Sequence, residues 1–287
     1  MKKGLILEGG AMRGMFTAGV IDVFMENGVE FDGTIGVSAG AAFGCNIKSR
    51  QIGRVIRYNK KYASDPRYCS IRSLIKTGDL YGADFCYHVI PEKFDIFDVD
   101  AYNDNPMDFY VVCTDVETGK AVYINCVKAD YTMLEYVRAS ASMPFVSRAV
   151  EIDGQKLLDG GIADSIPLEY FESIGYDRNV VVLTQPLDFI KKKLPAAPLI
   201  KLLLRKYPAI IPVLANRHND YNNATRLIRE KELKGEIFVI RPPAPLEIGK
   251  TEHNPDVLQR VYDCGRCEAE KHLSEIKAFL ANQPSKI

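Results

Sequence analysis

The chain has 287 residues, of which 47% are hydrophobic and 26% charged, so it carries ample apolar material for a core and too little charge for disorder. Lys plus Arg and Asp plus Glu both number 37, a formal net charge of zero, and no basic stripe is present; nucleic-acid binding is not expected. Seven cysteines scattered over this length fit reduced thiols rather than a disulfide framework. No segment approaches the ~20 apolar residues of a membrane span, and the apolar run after Lys2 and Lys3 is far shorter than a signal-peptide core. A cytoplasmic protein is expected.

In chain order, "GLILEGG" reads as a short buried strand ending in glycines, and Phe16, Val20, Val23 and Phe24 recur at helical spacing up to a stop at Gly28. "FDGTIGV" predicts a second strand and "SAGAAFGCNIKS" a second helix. A strand, glycine turn and helix repeated at once is the pattern of a mainly parallel sheet covered on both faces, a three-layer α/β/α sandwich. Residues 50–100 read as mostly helical and irregular. "MDFYVVCTDV" and "KAVYINCV" form a hairpin around "ETG"; Tyr131–Ser142 is a helix ended before Pro144; "VEIDGQKLLDGG" is a second hairpin turning at Asp153-Gly154. "NVVVLT" and "EIFVI" are late strands of the same sheet, residues 195–234 are helical between them, and the last 30 residues form one helix.

Three motifs carry chemistry. In "EGGAMRG", Glu8–Gly14, glycines between strand and helix let the backbone aim N–H groups at an anion. This is also the place of a dinucleotide phosphate loop, with Asp32 near the position of a ribose-binding acid, but Ala11 replaces the middle glycine of that fingerprint. In "GVSAG", Ser38 lies between Gly36 and Gly40, after a predicted strand and before a predicted helix, the context of a nucleophile elbow with the Ala39 amide facing the reacting oxygen. In "LLDGG", Asp159 ends a strand and is followed by Gly160 and Gly161; alone this is an ordinary turn.

Taken together, the early "GGxxRG", the "GVSAG" and the late "DGG" resemble the patatin-like phospholipases, as does "ASASMPFVSRAVEIDGQKLLDGG" leading to the aspartate. The resemblance spans residues 4–172 as one domain; residues 173–287 match no motif and are expected to pack onto the same sheet. It implies a serine acyl hydrolase acting on phospholipid or lysophospholipid esters without cofactor or metal. Ser38 would be the nucleophile, Asp159 its direct partner in a two-residue dyad, and Gly9, Gly10, Ala11 and Ala39 the oxyanion site. Arg13, Gly14, Gly36, Gly40, Gly160 and Gly161 complete the motifs. The family often has glycine where this chain has Ala11. Transient contact with a membrane surface is compatible with this function; the oligomeric state is left open.

Other readings remain. His218, His253 and His272 follow Asp159, as in a serine–acid–histidine triad, although the elbow lies too early in the chain for that family. A thioesterase, a non-catalytic lipid-binding relative and a nucleotide-binding module also fit parts of the pattern. "CGRC", Cys264–Cys267, lies inside a predicted helix with no second pair to complete a zinc site. "PLIKLLLRKYPAIIPVL", Pro198–Leu214, reads as a core segment with exposed cations or as a membrane-facing one, its prolines favouring the former.

Overall fold

A computed structural model describes residues 1–194 and 204–281. The first strand, β1 (Lys2–Leu7), leads through a short 3-10 turn at Ala11–Arg13 into α1 (Gly14–Glu26); β2 (Gly33–Val37) leads directly into α2 (Ala39–Lys48). Then follow α3 (Arg54–Tyr62), α4 (Ile71–Thr77), a π-helical segment (Phe85–Phe94) and α5 (Val99–Asp104). The hairpin β3 (Asp108–Asp115) and β4 (Ala121–Asn125), α6 (Tyr131–Ser140), the hairpin β5 (Val150–Ile152) and β6 (Gln155–Asp159), α7 (Leu168–Ser173) and β7 (Tyr176–Val182) come next. The described chain ends with α8 (Ile210–Leu233), β8 (Ile237–Ile240) and α9 (Pro255–Ala281).

Eight strands make one sheet in the order β5-β6-β3-β2-β1-β7-β8, with β4 also paired to β3. The run β3-β2-β1-β7-β8 is parallel throughout; β4, β5 and β6 join antiparallel. On β1, Leu5, Ile6 and Leu7 are all fully buried. Leu5 and Leu7 pack with α1 and α9 on one face, whereas Ile6 packs with α7 and α8 on the other. A strand apolar on both sides is what a doubly covered parallel sheet requires, and the three-layer α/β/α arrangement follows.

The region after residue 173 is built into this body: β7 hydrogen-bonds β1, and α9 lies along α1. That helix pair is unusually close. A Cβ on Gly19 would stand 2.1 Å from the Tyr262 carbonyl oxygen, and one on Gly265 2.0 Å from that of Phe16. Of the expected helix over residues 195–234, residues 195–203 lie outside the described residues; Ile210–Leu233 is helical, and Pro212 sits in its first turn, where a missing N–H costs nothing. Residues 198–203 of the basic-apolar segment lie outside the described residues. The π-helical winding around Pro91 had no counterpart in the sequence reading.

Candidate active site

The elbow comes first. β2 ends at Val37 and α2 starts at Ala39, so Ser38 must turn the chain alone, and it does so at φ 55°, ψ −121°. That is costly backbone for a residue with a Cβ, of order 1–3 kcal/mol. Its neighbours have no room for a side chain: a Cβ on Gly36 would lie 2.5 Å from the Gly40 carbonyl oxygen, and one on Gly40 2.3 Å from that of Leu7. The Ser38 amide donates to Ser140 Oγ at 2.8 Å, and Ser140 Oγ donates to the Val112 carbonyl at 2.6 Å. Ser140 is fully buried on α6, so this serine ties the elbow to β3 through α6.

Asp159 arrives from the other direction. On β3, Val112 pairs with Val37 of β2 and with Tyr123 of β4; Cys113 pairs with Asp159 of β6 and with Val122 of β4. Since β4 occupies one edge of β3 at both positions, β2 and β6 share the other edge and meet end to end. The last residue of β6 is therefore set beside the residue after β2. The buried Asp159 carboxylate accepts from the Gly161 amide at 2.8 Å, and the Ser38 hydroxyl lies near enough to favour its charged form. Burial raises its pKa above the usual carboxylate range; Arg217, the Ser38 hydroxyl, the Gly161 amide and Lys191 oppose that rise without cancelling it. Gly160 fits against β3, where a Cβ would lie 2.1 Å from the Val112 carbonyl oxygen. The Gly161 carbonyl accepts from Arg217 Nε and from Ser165 Oγ.

The glycine loop is held from beneath. Glu8 is buried and accepts from the Thr184 amide at 2.6 Å and from Tyr221 Oη at 2.8 Å, and the Thr184 hydroxyl lies within reach of both Glu8 and the Gly9 carbonyl. Gly9 passes so close to the elbow that a Cβ there would stand 2.9 Å from Ser38 Cβ. Ala11 has φ 50°, left-handed backbone that favours glycine. It opens a 3-10 turn, so the Gly10 and Ala11 amides have no preceding turn to bond to; Ala39, first residue of α2, is in the same position. The Arg13 amide donates to the Gly10 carbonyl at 3.2 Å, and its Nε is buried without a hydrogen-bond partner among the described residues. Gly14 packs against Phe43 and Ala39.

Of these groups, Glu8, Gly9, Gly10, Ala11, Arg13, Ser38, Ala39, Asp159, Gly161, Arg217 and Tyr221 line one cavity of about 690 Å³, with Ser140 and Thr184 supporting it from behind. Its wall from α2, α3, the π-helical segment and α6 is largely apolar, with Phe43, Tyr58, Ile90, Leu134 and Val137. No histidine lines it. His88 bonds Glu135, His253 bonds the Ala63 carbonyl, His272 lies beside Glu275, and His218 on α8 points elsewhere than the cavity lining. Asp32, weighed as a ribose-binding acid, accepts from the Lys3 amide at the start of β1, whereas the glycine loop follows the end of that strand. The two parts of a dinucleotide site are thus at opposite ends of one strand. Cys264 and Cys267 are free thiols within α9, and among the described residues no three His, Cys, Asp or Glu side chains converge as a metal site. No helix among the described residues is long and apolar enough to cross a membrane.

Ser140, Thr184, Tyr221, Arg217 and Lys191 were not foreseen as parts of the site. Only Ser140 lies in a stretch the resemblance had marked; the others are single polar residues outside any motif, brought in by β7 and α8.

Residues 5–172 match the family model described as patatin-like phospholipase, and the chain belongs to that family, among lipid hydrolases. Residues 207–281 match a second model, described as a domain of unknown function, DUF6363. The chain is similar to the uncharacterized protein YjjU of Escherichia coli, 26% identical over 97% of this chain and 79% of that protein. It is also similar to the uncharacterized NTE family protein Mb1092c of Mycobacterium bovis, 28% identical over 62% of this chain and 48% of that protein. Lysophospholipase nte1 of Aspergillus niger is 27% identical over 61% of this chain, which spans 11% of that longer protein.

Proposed function

We propose that the protein is a serine acyl hydrolase that cleaves lipid acyl esters through a Ser38–Asp159 dyad and an acyl-enzyme intermediate. The observation that carries the reading is the placement of Ser38 beside the buried Asp159 carboxylate, inside a mainly apolar cavity with no histidine in its lining. Ser38 Oγ attacks the ester carbonyl carbon as its proton passes to Asp159. The carbonyl oxygen becomes an oxyanion facing the Gly10, Ala11 and Ala39 amides, donors of a kind worth about 2.7–4 kcal/mol each. Collapse expels the alcohol, which takes the proton from Asp159; water, deprotonated by the same carboxylate, then releases the fatty acid.

A free aspartate, with a pKa of about 3.9, is a weak base at neutral pH. The raised pKa of Asp159 narrows that gap, while Arg217 and Lys191 keep the ionised form accessible. The relatives of the nte1 type add weight to a lysophospholipid or phospholipid ester as substrate.

The test is labelling with an organophosphonate ester probe followed by mass spectrometry. Modification at Ser38, lost in Ser38→Ala, is the expected result. A folded protein that no such probe modifies and that hydrolyses no lipid ester would remove the reading in favour of a lipid-binding relative.

A further inference from the structure

The cavity is lined by two kinds of cation. Those in the apolar wall are neutralised: Arg54 has Asp95 at 3.4 Å and Arg138 has Glu135 at 2.6 Å. Those on the glycine loop, the segment after β7, α8 and the loop between β8 and α9 are not. Among the described residues, Arg13, Lys191, Arg217 and Lys250 have no carboxylate within 4 Å, although all four line the cavity. They lie near enough to one another that Arg217, Arg13 and Lys250 each act on the Lys191 charge. The Lys191 ammonium stands 4.1 Å from the centre of the Tyr221 ring, a contact that solvates a cation without neutralising it.

The acids nearby are already engaged. Glu8 accepts from Thr184 and Tyr221 and acts on the Lys191 charge only from beyond 4 Å, and Asp159 accepts from Gly161. Arg13 also carries its orphaned buried Nε. Like charges gathered in a half-buried pocket repel one another, and an arriving anion relieves that repulsion.

We propose that this side of the cavity is a subsite for the phosphate of a phospholipid-type ester, held by Lys191, Arg217, Arg13 and Lys250 while the acyl chain lies along the apolar wall. The inference rests on the acyl-hydrolase reading and names the residues that select a phosphate-bearing lipid ester over a neutral glyceride. A fatty-acid carboxylate does not fit the role. Its carbon is the one that Ser38 acylates, so it belongs with the acyl chain, whereas the cations come from other lining segments than the apolar wall. A phosphate offers several acceptor oxygens to several donors at once. Burial and the neighbouring cations lower the Lys191 pKa to about 8 against the opposing pull of Glu8, so a further anion beside the ammonium is favoured. Arg217 and Lys250 lie within the stretch matched by the domain of unknown function, which thereby contributes head-group recognition to the hydrolase.

The experiment separates binding from chemistry. In the full-length Ser38→Ala protein, Kd is measured for octanoyl lysophosphatidate, octanoylglycerol and inorganic phosphate. The lysophosphatidate is expected to bind at least tenfold more tightly than the glyceride. Lys191→Met, added to Ser38→Ala, is expected to abolish that difference while the glyceride Kd stays put. Lys250→Met, a change at an exposed rim position, is expected to shrink the difference in the same direction and serves if Lys191→Met does not fold. Equal Kd values for the two lipids overturn the subsite. Inorganic phosphate binding as tightly as the lysophosphatidate also overturns it, in favour of a free-phosphate site. Neither outcome touches the hydrolase reading, which stands or falls on modification of Ser38.

Discussion

Ser38 and Asp159 meet because β2 and β6 end head to head on one edge of β3, Val37 opposite Val112 and Asp159 opposite Cys113. The aspartate arrives buried, and its charged form is disfavoured there. A group whose folded pKa is raised contributes stability below its unfolded pKa and loses it as pH rises through the folded value. At neutral pH the ionised carboxylate therefore works against the fold. Asp159→Asn keeps an acceptor for the Gly161 amide and removes the charge. Turnover is expected to fall by at least a thousandfold while the thermal midpoint at pH 7 rises, and the rise should vanish as the assay pH drops below the raised pKa. In the parent, kcat should decline on acidification through a pKa above the ordinary aspartate value of about 3.9. Scanning calorimetry across pH and a kcat–pH profile check both; near-normal turnover in Asp159→Asn would remove the dyad.

Ser140 holds the backbone of Ser38 rather than its hydroxyl. Ser140→Ala leaves the Ser38 amide and the Val112 carbonyl without their shared partner. A buried polar group left unpaired costs about 1–3 kcal/mol, so a loss of roughly 2 kcal/mol is expected in denaturant titration. The elbow loses its tether to α6, and displacement by ~1 Å at a reacting centre costs on the order of a hundredfold. The expected signature is a kcat lowered ten- to a hundredfold with KM nearly unchanged.

Ala11 stands where the backbone favours glycine, at φ 50°. The left-handed conformation costs a non-glycine residue roughly 1–2 kcal/mol, against which glycine loses up to ~1 kcal/mol more chain entropy on folding. Ala11→Gly is therefore expected to leave stability within about 1 kcal/mol of the parent and kcat within a few-fold. Ala11→Val places a β-branched side chain on the same backbone and should lower both. Thermal melts and ester hydrolysis of the two variants are the measurements. If Ala11→Gly abolished activity, the methyl group and not the backbone would be what the loop needs.

Much of this was legible in the sequence. The alternation of short apolar strands with helices gave the sheet and its two covered faces, because burial on both sides leaves an apolar run such as Leu5–Leu7 that nothing else explains. Ser38, Asp159 and the glycine loop were legible because a tight turn needs small residues at fixed spacing, and that need is local. What was not legible is what distant segments bring. Tyr221 reaches Glu8 across more than two hundred residues, and Ser140 reaches Ser38 across about a hundred; a lone tyrosine or serine has no local signature. Arg217 and Lys191 are single cations that belong to no motif. Their role depends on α8 lying over the ends of β6 and β1, which only the folded sheet decides.

The same contrast governs "CGRC", where the glycine and not the cysteines should prove sensitive. Cys264 and Cys267 are free, on adjacent turns of α9, half-buried and exposed. Replacing both with serine is expected to change stability by no more than ~0.5–1 kcal/mol and leave hydrolysis intact, as surface changes away from special features do. Gly265 is another matter. A Cβ there meets the Phe16 carbonyl at 2.0 Å, and a backbone atom in mid-helix cannot move aside as a side chain does. Gly265→Ala must push α9 off α1, an overpacking cost of about 1–3 kcal/mol. Because α1 starts at Gly14, directly after the Gly9–Arg13 loop, the displacement should reach the Gly10 and Ala11 amides, and kcat should fall together with the thermal midpoint. Should the double serine variant lose activity while Gly265→Ala keeps it, the thiols would have a function and the helix crossing would be slack.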